Sequence, residues 1–333
     1  MITKIYFIEN SFNYNALNIN DSSIAGSEKT LINITNELGK NVNLLIKVFN
    51  NTTNPKTINN VQWLNISQIE TNDSPDFVIS MSDANLFYKL SSKKNYLWSH
   101  SVQNFEKFLR KRQLIPFIKF KPIMILEGDY HYKTRGFFTS FYGKNTLKIA
   151  TDYDFINTKI DINFIPPPNA IFTTRSDRNL KFLIQSWFKI KNYNDKAKLF
   201  INPPHILNHD EKKNDIIVRN KSSKQLLIND LLNTRLFLSP GHLGEVFCLA
   251  AEEARVLCIP IVTLGHGALY ERVEHNVTGY IASNQGDFVK YSNNILKDES
   301  VFKEFRKNLI NKRNSRNYNN VKNDFLKILC IND

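Results

Sequence analysis

Two glutamates, Glu245 and Glu253, lie eight residues apart in the stretch GEVFCLAAEEARVLCIPIV of this 333-residue chain. A predicted strand ends just before it, at Ser239, and is followed by GHLGE, whose two glycines allow tight backbone paths. The apolar pattern then predicts a helix that begins near Val246 or Phe247. The two carboxylates would therefore lie at the junction of a loop and a helix.

Such a junction has the groups needed to bind a phosphorylated ligand. The backbone N–H groups of Phe247, Cys248 and Leu249 would be free at the helix N-terminus, which favours a phosphate. Glu245 would lie beside that phosphate and could accept hydrogen bonds from sugar hydroxyls. Glu253, about two turns into the predicted helix, could reach a vicinal diol such as a ribose.

A purely structural interpretation of the same glutamates is also available. A carboxylate near a helix N-terminus is stabilised by the helix dipole, and Glu252 and Glu253 could simply face solvent. Two glutamates at this spacing are, by themselves, usually a chance match.

The residues that follow favour the functional interpretation. After the helix the chain reads CIPIVTLGHGALYERVEHNVTGYIA, a buried strand, a glycine-containing loop and a turn. The segment resembles the retaining glycosyltransferases of family 4, whose second domain carries E-x-F-x-L-x-x-x-E-A, then P-V-V, then G-A-L-x-E-x-V, then T-G. The matching positions are Glu245, Phe247, Leu249, Glu253, Ala254, Pro260, Ile261, Val262, Gly267, Ala268, Leu269, Glu271, Val273, Thr278, Gly279 and Ile281.

Two other segments resemble the same family. IFTTRSDRNLKFLIQSWFKI is similar to the start of the family's second domain, and on that match Arg175 and Arg178 would hold the donor's diphosphate. IAGSEKTLINITNELGK is similar to its glycine-rich loop and first helix, where Gly26 would let the backbone approach the donor. His100, in YLWSH, matches a frequent W-x-H and is a candidate contact to the transferred sugar. The structural alternatives are surface arginines and a strand-end histidine bound by backbone.

The resemblance implies an α/β chain of the GT-B fold, in which two Rossmann-like domains with parallel sheets face each other across a cleft. It implies transfer from a nucleotide-diphosphate sugar, most often a UDP- or GDP-sugar, with retained anomeric configuration and without a bound metal or other cofactor. Glu245 and His100 would be the catalytic residues, and Glu253 would bind the ribose. The residues near the donor sugar would be His266, Gly267 and Ala268.

The sequence also departs from the family pattern. Ala25 replaces the first glycine of the N-terminal pair, Cys258 stands where the family usually has glycine, and Thr174 precedes Arg175 where the family has glycine. A D-x-D motif at Asp152–Asp154 is the metal motif of the other main glycosyltransferase fold, and we discount it for lack of context.

Strands that alternate with helices must position these residues, which is typical of parallel sheets with crossover helices. The prolines of IPPPN predict a domain boundary near Pro166. We expect an acceptor-side domain over residues 1–165, a nucleotide-sugar domain over 166–310, and a helical tail over 311–333 that could pack back on the first domain.

Charge and composition limit the partners. The net charge is +13, and the window 106–148 has ten Lys or Arg, three acids and nine Phe or Tyr. Such a window suits an anionic membrane surface, a nucleic-acid groove, or a solvated basic face over an aromatic core. No run of apolar residues is long enough for a membrane span, the N-terminus lacks a signal-peptide pattern, and three scattered cysteines suit a reducing compartment. We expect a cytoplasmic protein that could lie peripherally on the inner face of the membrane.

The leading hypothesis is a retaining glycosyltransferase that acts on a saccharide or lipid-linked acceptor. The alternatives are a glycosyltransferase that acts on modified DNA bases, and a GT-B-like binding protein without catalytic activity.

Overall fold

The computed structural model describes residues 2–21, 24–70, 72–134, 136–202, 204–219, 223–313 and 315–331. The chain forms two compact units, one of Met1–Ala150 with Arg316–Asp333 and the other of Thr151–Ser315. Each unit is built on a sheet covered by helices, as the alternation of strands and helices predicts.

The strands, in chain order, are β1 (Thr3–Ile8), β2 (Leu44–Asn50), β3 (Lys56–Ile58), β4 (Val61–Asn65), β5 (Phe77–Met81), β6 (Lys94–Trp98), β7 (Ile123–Leu126), β8 (Lys144–Thr146), β9 (Ala170–Phe172), β10 (Leu199–Ile201), β11 (Ile216–Val218), β12 (Leu236–Leu238), β13 (Ile261–Thr263) and β14 (Gly279–Ile281). The α-helices are α1 (Gly26–Leu38), α2 (Phe105–Arg110), α3 (Leu114–Phe120), α4 (Asp129–Thr134), α5 (Tyr153–Asn157), α6 (Leu180–Lys191), α7 (His209–Lys213), α8 (Lys224–Leu232), α9 (Leu249–Val256), α10 (Gln285–Lys297), α11 (Glu299–Asn311) and α12 (Tyr318–Ile328). Short 3-10 helices lie at Ala16–Asn20, Ile66–Gln68, Ala84–Tyr88, Phe137–Ser140 and Gly267–Glu271.

The sheet of the first unit has the strand order β3-β4-β2-β1-β5-β6-β7-β8 and is parallel except for β3. The chain moves from β1 outward to β2 and β4, and β5 then pairs with the other side of β1. The order of the strands therefore reverses between β1 and β5. In open α/β sheets, such a reversal leaves a crevice at the carboxyl ends of the two strands.

The β3–β4 hairpin at the edge of this sheet is an element that the sequence pattern did not predict. Its two strands are short, and they are joined by Asn59 and Asn60 with φ of 52° and 62°. Asparagine tolerates this left-handed conformation better than most residues, and two such residues suit a two-residue hairpin turn. The signals available were this Asn-Asn pair and the alternation of Val61, Gln62 and Trp63 in β4.

The sheet of the second unit has the order β11-β10-β9-β12-β13-β14, and every pair in it is parallel. Here the reversal falls between β9 and β12, because β10 and β11 lie on one side of β9 and β12 on the other. The strands are apolar throughout, since both faces of this sheet are covered by helices. Along β12, Phe237 packs into the cluster with α8 and α9, whereas Leu236 and Leu238 pack into the cluster with α6 and α10.

The two units divide at residues other than those predicted. The division falls after Ala150 rather than after residue 165, because Phe155 of α5 packs into the core of the second unit. The return to the first unit falls at Arg316 rather than at residue 311, because α11 extends to Asn311 and Arg313 bonds carbonyls of the second unit.

Helix α12 completes the core of the first unit. Phe325 is fully buried and stacks on Phe7 of β1 at 5.8 Å between ring centroids, and its ring lies 6.0 Å from that of Trp98. The hydroxyl of Tyr96 donates to the carbonyl of Ile328. The predicted strands β1 and β6 are therefore covered by residues from the far end of the chain. Among the described residues, no helix is long and apolar enough to cross a membrane.

We expect Phe325→Ala to lower the free energy of unfolding of the first unit by about 3–5 kcal/mol, because it leaves a cavity between Phe7 and Trp98. Lys327→Ala, at an exposed position of the same helix, is the matched control and should change it by less than about 0.5 kcal/mol. Trp187 is the tryptophan of the second unit, so urea unfolding followed by fluorescence in a Trp187→Phe background reports the first unit. Equal losses in the two variants would contradict the role given to α12.

Candidate functional site

Three loops of the second unit meet at the carboxyl ends of β9, β12 and β13. They are residues 173–179, 239–248 and 264–268, and each follows one of these adjacent parallel strands. The side-chain amide of Asn179 donates to the carbonyl of Gly241, and Gly241 pairs with His266 in an isolated bridge. The N–H of Ala268 donates to the carbonyl of Glu245 at 2.9 Å. The loops thus form one bonded cluster at the strand reversal.

Gly267 is required where the third loop crosses the second. Its φ is +68°, and a Cβ at this position would lie 2.4 Å from the carbonyl oxygen of His242 and 2.8 Å from that of Glu245. Both neighbours are backbone atoms, so a side chain here would push the two loops apart. The predicted site residues Gly267 and Ala268 are therefore held directly against Glu245.

An ion pair between Arg178 and Glu245 lies at the centre of this cluster. Arg178 Nε is 2.5 Å from Glu245 Oε1, and the two side chains are only 15% and 12% exposed. Arg178 Nη1 also donates to Asp177 at 2.8 Å. The structure thus brings together two residues that the sequence predicted from segments 67 positions apart. A charge-assisted bond of this kind holds both side chains in place.

Four buried polar atoms in these loops have no hydrogen-bond partner within the described part of the chain. They are Oγ1 of Thr173 and Thr174, Oγ of Ser239, and Oε2 of Glu245. Thr173 and Ser239 directly follow β9 and β12, the strands between which the order reverses. Because buried polar groups are normally bonded, four such atoms in one cluster indicate a place for a polar ligand.

The helix after Glu245 begins later than predicted. It starts at Leu249, not near Val246 or Phe247, because Cys248 has a left-handed conformation with φ of 60°. Leu249 is therefore the first helical residue, whereas Phe247 and Cys248 precede the helix, and the assignment of these three residues to the diphosphate stays a prediction.

The side chain and carbonyl of Phe247 face a cation rather than solvent. Arg272 donates through Nε to the carbonyl of Phe247 and stacks on its ring at 4.0 Å. Burial raises the pKa of the Cys248 thiol well above its usual value, and the charge of Glu245 adds to this effect. Cys248 is thus a neutral thiol beside the Arg178–Glu245 pair.

The two glutamates inside α9 differ from each other. Glu252, expected at the surface, is 3% exposed and bonds Arg255 at 2.7 Å, with Arg272 at 3.6 Å. The two arginines compensate its charge, which allows this carboxylate to be buried. Glu253 is half-buried one turn into α9, rather than two turns, and its assignment to a ribose stays a prediction.

The remaining residues predicted for the donor lie at the edge of the cluster. Arg175 is exposed and bonds Asp177, the same carboxylate that Arg178 contacts. His266 is also exposed. The cluster therefore has one partly buried arginine and one that is accessible to solvent.

Cys258 and the D-x-D motif, both noted in the sequence, lie apart from this cluster. Cys258 ends α9 with φ of +58° and is fully buried, so this backbone position favours the glycine that the family usually has. The D-x-D motif is bound within the second unit, where Lys224 lies 2.8 Å from Asp152 and 3.0 Å from Asp154. Within the described ranges, no group of three or more His, Cys, Asp and Glu side chains is placed to hold a metal.

The first unit has a cavity of about 300 Å³ at its own strand reversal. The residues that line it come from the ends of β1, β5 and β6 and from the start of α1. They are Glu9, Asn10, Ser11, Tyr14, Ser27, Glu28, Met81, Ser82, Asp83, His100 and Lys111. Three carboxylates and a single lysine favour hydroxyl groups over phosphate.

Gly26 begins α1 next to this cavity. A Cβ at Gly26 would meet nothing within 4 Å, so the backbone does not require glycine there. Its neighbours Ser27 and Glu28 line the cavity, and buried Glu9 accepts from Ser11. Burial raises the pKa of Glu9. The assignment of Gly26 to the diphosphate stays a prediction, in surroundings that carry several carboxylates.

His100 is held at the cavity by a chain of bonds. Its Nδ1 lies 2.5 Å from Glu127 Oε1, and because a carboxylate only accepts, Nδ1 carries the proton. Nε2 is buried without a partner in the described residues and is the ring atom left for a ligand. The N–H of Glu127 donates to His131 Nδ1 at 3.2 Å, and His131 Nε2 lies 3.1 Å from the carbonyl of Ser101.

His131 behind this chain is neutral. Burial, with a smaller contribution from His100 and against the opposing charge of Glu127, lowers its pKa from 6.5 to about 4. A neutral ring agrees with the bonding, since Nδ1 accepts and Nε2 then donates. No role for His131 could be predicted from the sequence, and Glu127 was not among the predicted site residues. The signal available was that IMILEGDYHY puts both just after a buried strand.

Comparisons with known proteins agree with this geometry. Residues 175–316 match the family profile of the glycosyl transferases group 1, a range that contains Arg178, Glu245 and Gly267. Over the whole chain the fold is similar to that of sucrose-phosphate synthase from Thermosynechococcus elongatus, with a TM-score of 0.70 and 11% identity over 98% of each chain. Anabaena HepE in complex with UDP-glucose gives a TM-score of 0.70 and 13% identity over 98% of this chain and 99% of its own.

A third structure matches only in part. TarM of S. aureus has a TM-score of 0.57 and 15% identity over 75% of this chain and 55% of its own, so this chain spans about half of the length of TarM. A comparison with curated protein sequences found no match. The chain therefore has the GT-B fold, two α/β units built on parallel sheets, and its residues 175–316 are similar to the glycosyl transferases group 1.

The neutral His131 predicts a pH dependence of stability. Between pH 6.5 and about 4 the unfolded chain binds a proton at this residue and the folded chain does not, so stability should fall as the pH falls through that window. The slope is at most about 1.4 kcal/mol per pH unit. His131→Gln keeps an acceptor and a donor but does not titrate, and its pH dependence should be shallower in urea unfolding at several pH values. Parallel curves for the two proteins would contradict this assignment.

Proposed function

We propose that the protein is a retaining glycosyltransferase that transfers a sugar from a nucleotide-diphosphate sugar to a saccharide or lipid-linked acceptor. The observation that carries the proposal is the Arg178–Glu245 pair among unbonded polar atoms, at the strand reversal of a domain that matches the glycosyl transferases group 1. Structural neighbours in complex with UDP or UDP-glucose support UDP as the first nucleotide to test.

The second unit would bind the donor. As the glycosidic bond lengthens, the leaving diphosphate gains negative charge, which Arg178, Arg175 and the N-terminus of α9 would stabilise. Glu245 uses Oε1 for Arg178 and has Oε2 left to accept from a donor hydroxyl. In this arrangement the carboxylate of Glu245 holds Arg178, which would bind the diphosphate, and also orients the sugar. No side-chain base is needed if the leaving phosphate takes the proton of the acceptor.

The first unit would contribute hydroxyl recognition. His100 presents an unbonded Nε2, and the carboxylates of Glu9, Glu28 and Asp83 line the same cavity. Carboxylates and a fixed imidazole nitrogen accept hydrogen bonds from sugar hydroxyls. This chemistry supports a saccharide ligand rather than a nucleic-acid phosphate at this cavity.

A thermal-shift screen across UDP-, GDP-, ADP- and CMP-sugars tests the proposal. A ligand that binds only the folded protein raises the melting temperature, and we expect a UDP- or GDP-sugar to do so. Transfer of radiolabel from that donor, with the anomeric configuration of the product read by NMR, tests the retaining mechanism. If none of the nucleotide sugars raises the melting temperature, the proposal fails in favour of a GT-B-like protein without donor binding.

The charge of Arg178 has a separate test. Arg178→Gln keeps a donor for Glu245 but has no charge to stabilise a diphosphate, so turnover should fall by well over about tenfold. Lys181→Gln removes one exposed charge from α6, three residues further on, and should leave turnover unchanged. Comparable rates for Arg178→Gln and the wild-type protein would remove Arg178 from the mechanism.

A further inference from the structure

The first unit exposes a set of apolar side chains on α2, α3 and the 3-10 helix Phe137–Ser140, which we name the α2–α3 surface. Phe137 and Ile115 are 82% and 71% exposed, and the others are at least half exposed. The members are Phe105, Leu109, Ile115, Ile118, Phe137 and Phe141. Single exposed apolar residues are ordinary, but six within 37 residues of chain are not.

Local packing places these side chains in one region. The inward-facing rings of Phe108, Phe117 and Phe138 form a cluster, with centroids 4.9–5.9 Å apart, that joins the two helices to the 3-10 helix. Phe105 packs edge-on against Phe138, and Phe137 packs against Phe141. The sides of α2 and α3 that face away from this cluster carry the exposed residues.

The α2–α3 surface is strongly basic. Exposed cations on and between the two helices are Arg110, Lys111, Arg112, Lys119 and Lys121. Within residues 104–121, all of them described, the one carboxylate is Glu106. Burial, and to a smaller extent the neighbouring charges of Lys111 and Arg110, lower the pKa of Lys107 to about 8.

We propose that the α2–α3 surface docks on an anionic lipid bilayer. Lipid phosphates complement the cations, and the apolar side chains gain free energy only on leaving water for the acyl boundary. Leucine and isoleucine give no stacking to bases, so Leu109, Ile115 and Ile118 argue against a nucleic-acid groove. A second copy of the chain would bring a net charge of +13 against this positive surface, which opposes self-association.

The inference goes beyond the proposed function and does not rest on it, because docking needs neither donor nor acceptor. A bilayer-bound enzyme would meet a lipid-linked acceptor at the surface where that acceptor lies. The test of lipid binding and the test of sugar transfer can therefore have different outcomes.

Flotation of the full chain with vesicles tests the inference. The vesicles are phosphatidylcholine alone and phosphatidylcholine mixed with phosphatidylglycerol, at matched salt. We expect binding to the mixed vesicles, weaker at higher salt, and much weaker binding to the neutral ones. Equal binding to both compositions, or no binding to either, would overturn the proposal.

Matched variants identify the surface. Ile115→Ser with Ile118→Ser should lower partitioning to the mixed vesicles by at least about tenfold, whereas Ile206→Ser, 95% exposed in the second unit, should not. Arg110→Gln with Lys119→Gln should lower it by about tenfold. Its control is Lys303→Gln with Lys307→Gln on α11, which removes the same charge elsewhere. Melting temperatures without vesicles verify that each variant folds.

A fluorescent reporter distinguishes insertion from electrostatic contact. Trp63, Trp98 and Trp187 are fully buried, so Phe137→Trp adds an exposed indole whose emission should shift to the blue with mixed vesicles. An unshifted emission on vesicles that bind the protein would contradict apolar insertion. Two other outcomes would contradict the lipid. A duplex-DNA gel shift that the Ile115→Ser and Ile118→Ser pair abolishes would identify nucleic acid as the partner of this surface. A concentration-dependent dimer in light scattering that the same pair abolishes would identify a second copy of the chain.

Discussion

The candidate donor site depends on one constraint, the parallel adjacency of β9, β12 and β13. Parallel strands end at the same edge of a sheet, so loops from three distant parts of the chain meet there. The approach is so close that Gly267 must lack a side chain. The pairing of Arg178 with Glu245 follows from this adjacency, because the two residues lie in loops that follow the neighbouring strands β9 and β12. The order of the strands in the second unit thus determines which side chains meet at the candidate donor site.

The first unit follows the same topological rule with different side chains. Its strand reversal at β1 and β5 carries carboxylates and a histidine, whereas the reversal in the second unit carries arginines and a helix N-terminus. A site rich in hydrogen-bond acceptors recognises hydroxyl groups, and a cationic site recognises phosphates. One sequence therefore places two complementary chemistries on two sheets of similar design.

Much of this organisation could be predicted from sequence because it rests on local patterns. The apolar strands, the helices from residue 286 onward and the motif carrying Arg178 and Glu245 are each visible in a short window. What could not be predicted depends on contacts between distant residues. Glu127 and His131 matter because β7 lies beside β6, which puts them behind His100.

Backbone conformation was a second source of error. The left-handed backbone conformation of Cys248 delays the start of α9, and cysteine has no propensity from which this conformation could be predicted. Glu252, expected at the surface, is instead buried and paired with Arg255 and Arg272. Similarly, β3 has three residues, none of them buried, and the alternation in β4 extends only over Val61, Gln62 and Trp63, which is short for the recognition of a strand.

The return of α12 to the first unit has a consequence for biosynthesis. A chain leaves the ribosome from its N-terminus, so β1 and β6 are made long before Phe325, which covers both Phe7 and Trp98. The second unit is continuous in sequence and is complete first. The half of the protein that is synthesised earliest therefore closes its core only after Phe325 has been made, and until then the rings of Phe7 and Trp98 lack this cover.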